Sequence, residues 1–172
     1  MFDALFTTTT EYKKLSHALS GKGACALFGL PASGRAQVYA ALCRQLDKPL
    51  CIVTPGEAEA TRFAADLNTL GIPAAVFPAR DYVLRPIEGT AREYEYRRLA
   101  VLGELVGGRL RAVAVPAEAL TQFTTPKEDF CANTRTLHAG DTLLRDDLLA
   151  ALFGAGYTRR AQVDGPGQFS VR

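Results

Sequence analysis

Four short apolar runs alternate with longer stretches in which apolar residues recur every three or four positions. The runs are ACALFG at 24–29, PLCIVT at 49–54, PAAVFP at 73–78 and RAVAVP at 111–116. This alternation constrains the fold more than any other feature of the chain. Strands that are apolar throughout need cover on both faces, and helical crossovers between parallel strands supply it. The intervening segments have the matching helical pattern: EYKKLSHAL, RAQVYAALCRQL, PGEAEATRFAADLNTLG and TAREYEYRRLAVLGELVGG. In the second of these Val38, Leu42 and Leu46 form one stripe, and Gly71 ends the third. The first part of the chain is therefore expected to be α/β, a mainly parallel sheet with flanking helices.

The pattern changes after Pro116. AEALTQF reads as a short helix and TTPKEDF as a polar break, and TRTLHAGDTL reads as a strand entering a turn at Ala139-Gly140. LLRDDLLAALFGAGY is an amphipathic helix closed by Gly154 and Gly156, and TRRAQVDGPGQFSVR reads as two strands joined across Gly165-Pro166-Gly167. These elements make a small α+β unit of about 50 residues, a size at which a lone core is marginal. The expected division is 1–118 and 119–172. The sequence ends at Arg172 inside a strand pattern, so the second domain reads as truncated at its C-terminal end and the chain as a fragment of a longer protein.

Composition narrows the functional classes. Twenty basic against eighteen acidic residues leave a net charge of +2, too balanced to imply direct nucleic-acid binding. Cys25, Cys43, Cys51 and Cys131 form no C-x-x-C pair, and His17 and His138 lie far apart, so neither a zinc site nor any other metal is expected. Three of the cysteines sit inside apolar segments, where Cys behaves as a small hydrophobe, and all four read as structural thiols of a reducing compartment. The N-terminus lacks the basic and apolar regions of a signal peptide, and no apolar run reaches the ~18 residues of a membrane span. The expectation is a cytoplasmic protein with no cofactor.

GLPASGRA, residues 29–36, has the glycine spacing of a phosphate-binding loop, with Gly29 and Gly34 in register. A working loop of the form G-x-x-x-x-G-K-[ST] needs a lysine for the phosphates and a hydroxyl for Mg²⁺. Arg35 and Ala36 stand at those positions. Arginine keeps the charge but is a bulky planar fork, and alanine has no oxygen to offer a metal. No apolar strand here ends in an acidic pair that could hold the ion. The loop reads as vestigial, with no catalytic residue.

Read in order, GLPASGRA, FPARDY, REYEYRRLAVLGEL, RAVAVPAEAL and the terminal GAGYTRRAQVDGPGQFSVR resemble the N-terminal region of the bacterial transcription-repair coupling factors (Mfd). They are also similar to the matching part of the excision nuclease subunit UvrB. UvrB carries an intact Lys and Thr in its loop and inserts a long, aromatic-rich hairpin after its FP…DY segment. Here DYVLRPIEG passes quickly into the next helical pattern, with Tyr82 its only aromatic. The resemblance implies a degenerate, UvrB domain 1a-like first domain and a domain 2-like second domain, without enzymatic activity. Its implied partners are the damage-recognition ATPase UvrA and the polymerase-binding and motor domains of a longer parent. An ATP-binding half-site of a UvrB-like helicase or excinuclease subunit is the alternative.

By the same resemblance, arginines on the second domain's strands contribute to UvrA binding. The matching positions are Arg159 or Arg160 in YTRR and Arg172 in QFSVR. Arg159 and Arg160 fall on opposite faces of a strand, so one of the two is expected to face the partner. Phe169 is expected to face the core. REYEYRR, residues 92–98, reads as a solvated helix face with Glu93 pairing Arg97. His138 reads as a turn residue, and Asp146 and Asp147 as first-turn acids favoured by the helix dipole.

Overall fold

A computed structural model describes residues 7–21, 24–46, 48–80 and 93–171. The chain divides into two compact units, Met1–Gln122 and Phe123–Arg172.

The first unit contains helices α1 (Thr10–Ser20), α2 (Ala32–Gln45), α3 (Glu57–Thr69), α4 (Glu93–Val106) and α5 (Ala117–Leu120). Its strands are β1 (Leu50–Thr54), β2 (Ala74–Val76) and β3 (Ala112–Pro116). The three strands form a parallel sheet in the order β1-β3-β2, with Ile52 opposite Ala114 and Ala74 opposite Ala112. The central strand is buried along its whole length, as an apolar run covered on both faces should be. Its alternate residues serve two cores. Ala112 and Ala114 meet Ala36, Ala40, Cys43, Ala60, Phe63 and Leu67 of α2 and α3. Val113 and Val115 meet Phe77, Val101 and Ala119 on the other side.

Alanines dominate the α2–α3 side because small residues let a helix sit close to a sheet. The stripe of Val38 and Leu42 does not face the sheet. It packs with Tyr12 of α1 and with Leu46, and the Tyr12 hydroxyl donates to Gln45 Oε1 at 3.0 Å. Arg111 donates from Nη2 to the carbonyls of Cys43 and Leu46, satisfying acceptors left open at the end of α2.

The sheet has three strands where the sequence suggested four. Residues 24–28 form no strand among the described residues and are exposed, Phe28 by 88%. Apolar composition marks a run for burial but does not supply the ladder of backbone hydrogen bonds that makes it a strand. Of the three cysteines in apolar runs only Cys43 is buried; Cys25 and Cys51 are exposed, as is Cys131.

The second unit holds α6 (Lys127–Ala132), α7 (Arg145–Gly154) and the short strands β4 (Thr158–Arg159) and β5 (Gln168–Phe169), which pair in parallel. The polar TTPKEDF break contains the start of α6, where Pro126 caps the helix and Glu128 and Asp129 occupy a dipole-favoured first turn. The stretch at 134–143 is irregular instead of a strand, with a turn in which Asp141 N–H donates to the His138 carbonyl at 3.1 Å. Phe169 is buried as expected and meets Phe153 edge-on, with ring centroids 5.1 Å apart. The division falls after Gln122 because Ala119 and Gln122 are buried in the first unit.

Candidate functional site

Two places carry the candidate residues, the loop before α2 and the surface of the second unit. At the loop, Gly29 takes φ +81°, a left-handed conformation that an L side chain resists. Helix α2 begins at Ala32 on a Pro31 cap, so Gly34 lies inside the first helical turn. The Arg35 N–H donates to the Pro31 carbonyl at 3.2 Å, and Pro31 has no N–H of its own. A phosphate nest draws on successive free backbone N–H groups; here the helix takes that of Arg35, and Pro31 offers none. A Cβ on Gly34 would meet Pro31 Cδ at 3.3 Å, a tight contact within this turn.

The side chains follow the same logic. Arg35 leans toward Glu59 of α3, with 3.9 Å between Nη1 and the carboxylate, and Arg62 approaches the same carboxylate at 3.8 Å. At such distances on an exposed surface each pair contributes little, about 0–1 kcal/mol. Ala36 is 3% exposed and faces the sheet core. The position that would offer a hydroxyl to a metal in a working loop is thus a core methyl.

In the second unit Arg159 and Arg160 are both exposed, and neither takes part in an ion pair among the described residues. Backbone bonds fix their strand: Thr158 N–H donates to the Gly167 carbonyl and Arg160 N–H to that of Phe169, each at 2.9 Å. Arg172 and the DYVLRPIEG segment with Tyr82 lie outside the described residues. His138 is the turn residue expected, its N–H donating to Asp141 Oδ2 at 2.8 Å. Asp146 sits in the first turn of α7, 3.3 Å from Arg145 Nε.

The structure also shows residues that the sequence reading missed. Within REYEYRR, Glu93 and Arg97 pair at 2.6 Å on the surface, but Arg98 turns inward and is 3% exposed. Its stack on Phe77 and its bonds to the Pro78 carbonyl and Gln122 Oε1 (2.9 and 3.0 Å) replace the solvated role expected of it. The signal was its spacing: Arg98 falls on the stripe of Val101, Leu102 and Leu105. Gln122 in turn brackets the backbone of Arg80, accepting from its N–H at 2.7 Å and donating to its carbonyl at 3.1 Å.

Taken together, the fold and the loop define a class: an α/β unit with the glycine spacing of a P-loop but without its lysine and hydroxyl, joined to a small α+β unit. No protein-family model matches the chain. It is similar to the transcription-repair-coupling factor of Bacillus subtilis strain 168, with 28% identity over 148 residues, 85% of this chain and 13% of the relative. It is likewise similar to the transcription-repair-coupling factor of Staphylococcus aureus strain USA300, with 25% identity over 146 residues, 84% of this chain and 12% of the relative. The similarity runs along most of the chain, in agreement with the resemblance to the N-terminal region of the coupling factors. The chain therefore spans only about one eighth of the length of the curated relatives it matches. No helix among the described residues is long and apolar enough to cross a membrane.

Proposed function

We propose that this chain is a non-catalytic, UvrB-like module of a transcription-repair coupling factor, which recruits UvrA to stalled RNA polymerase for nucleotide excision repair in the cytoplasm. In this reading the first unit, up to Gln122 rather than residue 118, is the degenerate domain 1a-like part, and the second, from Phe123, the domain 2-like, UvrA-binding part. The observation that carries the non-catalytic reading is Ala36, a core methyl at 3% exposure in place of the magnesium-binding hydroxyl. Arg35 is turned toward Glu59, and the start of α2 takes up its backbone N–H, a donor that a phosphate would use. The similarity to two coupling factors supports the repair context.

Arg159 and Arg160, exposed and in no ion pair among the described residues, support the recruiting role. A guanidinium free of internal carboxylates is available for bidentate bonds to a partner. Calorimetric titration of the chain with UvrA tests the reading. Wild type is expected to form a one-to-one complex, and the double change Arg159→Ala and Arg160→Ala to weaken it at least tenfold with an unchanged melting temperature. A folded wild-type chain that does not bind UvrA would overturn recruitment. Magnesium-dependent, tight ATP binding by the same sample would overturn the non-catalytic reading in favour of a nucleotide half-site.

A further inference from the structure

We infer that Gln122 is a latch fastening the tail of the first unit to the segment after β2, so that the two open together and lengthen the connection to the second unit. The inference stands apart from UvrA recruitment.

The sheet holds the chain after β2 as far as Phe77, whose N–H donates to the Ala114 carbonyl at 2.9 Å. Beyond that point side chains from elsewhere take over. Arg98 of α4 donates to the Pro78 carbonyl at 2.9 Å. Gln122 grips both polar groups of the Arg80 backbone: Oε1 accepts from its N–H at 2.7 Å, and Nε2 donates to its carbonyl at 3.1 Å. The same Oε1 accepts from Arg98 Nη1 at 3.0 Å.

The tail at 117–122 has a slight hold of its own. Helix α5 is one turn long, and within the tail only Ala119 (1% exposed) and Gln122 (7%) are buried. Leu120 is 55% exposed, and Phe123, the next residue after the tail, 94%. The N–H groups of Thr121 and Gln122 donate to the Glu118 and Ala119 carbonyls, inside the tail itself, so these bonds move with it. One methyl in the core and one amide therefore anchor it. Withdrawing that amide leaves the Arg80 N–H and carbonyl unmet and takes an acceptor from the buried Arg98 charge. Each segment thus opens at the other's expense, and loosening either loosens both.

With the latch closed, residues 123–125 separate Gln122 from the Pro126 cap of α6, a stretch that spans at most ~10 Å. Opened back to Ala119, the stretch becomes 120–125 and spans ~20 Å. The latch sets how much chain connects the units.

The test is limited chymotryptic cleavage of the 172-residue chain after Phe123, with exchange of the Arg80 amide followed by NMR. A protease takes its substrate as an extended strand, so cleavage reports the opened population. Gln122→Met keeps the length of the side chain but not its bonds. It is expected to speed cleavage at Phe123 and exchange at Arg80 by the same factor, about tenfold. Leu120→Gly loosens the tail's backbone at an exposed position and leaves the amide in place. It is expected to speed Arg80 exchange several-fold, with the buried Phe63 and Phe77 uncut. Cleavage of Gln122→Met at Phe123 no faster than wild type would overturn the latch. So would unchanged Arg80 exchange in Leu120→Gly, the variant that decides if Gln122→Met does not fold. Cleavage of Leu120→Gly at Phe63 and Phe77 as fast as at Phe123 would also overturn it, because the opening would then be global.

Discussion

The guanidinium of Arg98 stacks on the ring of Phe77, 4.1 Å from its centroid, inside the first unit. A buried cation is costly unless its donors and its charge are met. Here the ring face takes the charge, while the Pro78 carbonyl and Gln122 Oε1 take N–H bonds. Gln122 uses the rest of its amide on the backbone of Arg80, so one side chain from α4 and one from the end of the unit clasp the segment that follows β2.

Replacing Arg98 by alanine should therefore cost about 2–4 kcal/mol in urea unfolding, from lost packing, the lost stack and two unmatched acceptors. Arg98→Lys keeps the charge but loses the planar stack, and should cost about 1–2 kcal/mol. Arg97→Ala, one residue earlier, removes an exposed pair with Glu93 and a distant, 5.9 Å approach to the Tyr94 ring, and should stay within about 1 kcal/mol. Equal effects at positions 97 and 98 would show that burial does not govern this helix.

Restoring the loop's side chains should not restore its activity. Ala36→Thr places a branched side chain and a hydroxyl at a 3% exposed site packed against β1 and β3. It should destabilise by about 1–3 kcal/mol. Arg35→Lys alone should be nearly neutral, since it gives up a 3.9 Å surface pair. Differential scanning calorimetry reads the cost, and ATP titration of the double variant should show no magnesium-dependent binding.

The four cysteines should separate by reactivity. Cys25, Cys51 and Cys131 are exposed and should react with a thiol reagent in the native protein, whereas Cys43 should react only on unfolding. Burial pushes the Cys43 thiol above its ordinary value of 9.0, and Arg111 and Arg44 only partly offset this. The folded chain then holds the proton more tightly than the unfolded one, so this contribution is full below about pH 9 and is lost as the pH rises further. Cys43→Ala should reduce the fall in stability between pH 8 and 10, at the cost of a small cavity. A wild-type stability that rises across that range would overturn the assignment.

Much of the first unit was legible in the sequence. The runs at 49–54, 73–78 and 111–116 became the parallel sheet, because strands apolar on both sides leave few other arrangements. Gly29 and Gly34 marked the turn into α2, and Arg35 and Ala36 already showed which chemistry the loop lacks. Phe169 was placed by alternation alone.

The tertiary structure decided the rest. The run at 24–29 is apolar like β1 but lies outside the sheet; it has no β-branched residue where β1 has Ile52, Val53 and Thr54, and pairing depends on a neighbouring edge that apolar character does not encode. The alanine face of α2 turned to the sheet and its larger stripe to α1, a choice made by how closely each layer can approach. Arg98 went inward because Phe77, Pro78 and Gln122, from three different segments, met it there. Local patterns fix which backbone a segment adopts and which side of it is apolar. Which surfaces then meet, and which are left open to a partner, is settled by packing across distant parts of the chain.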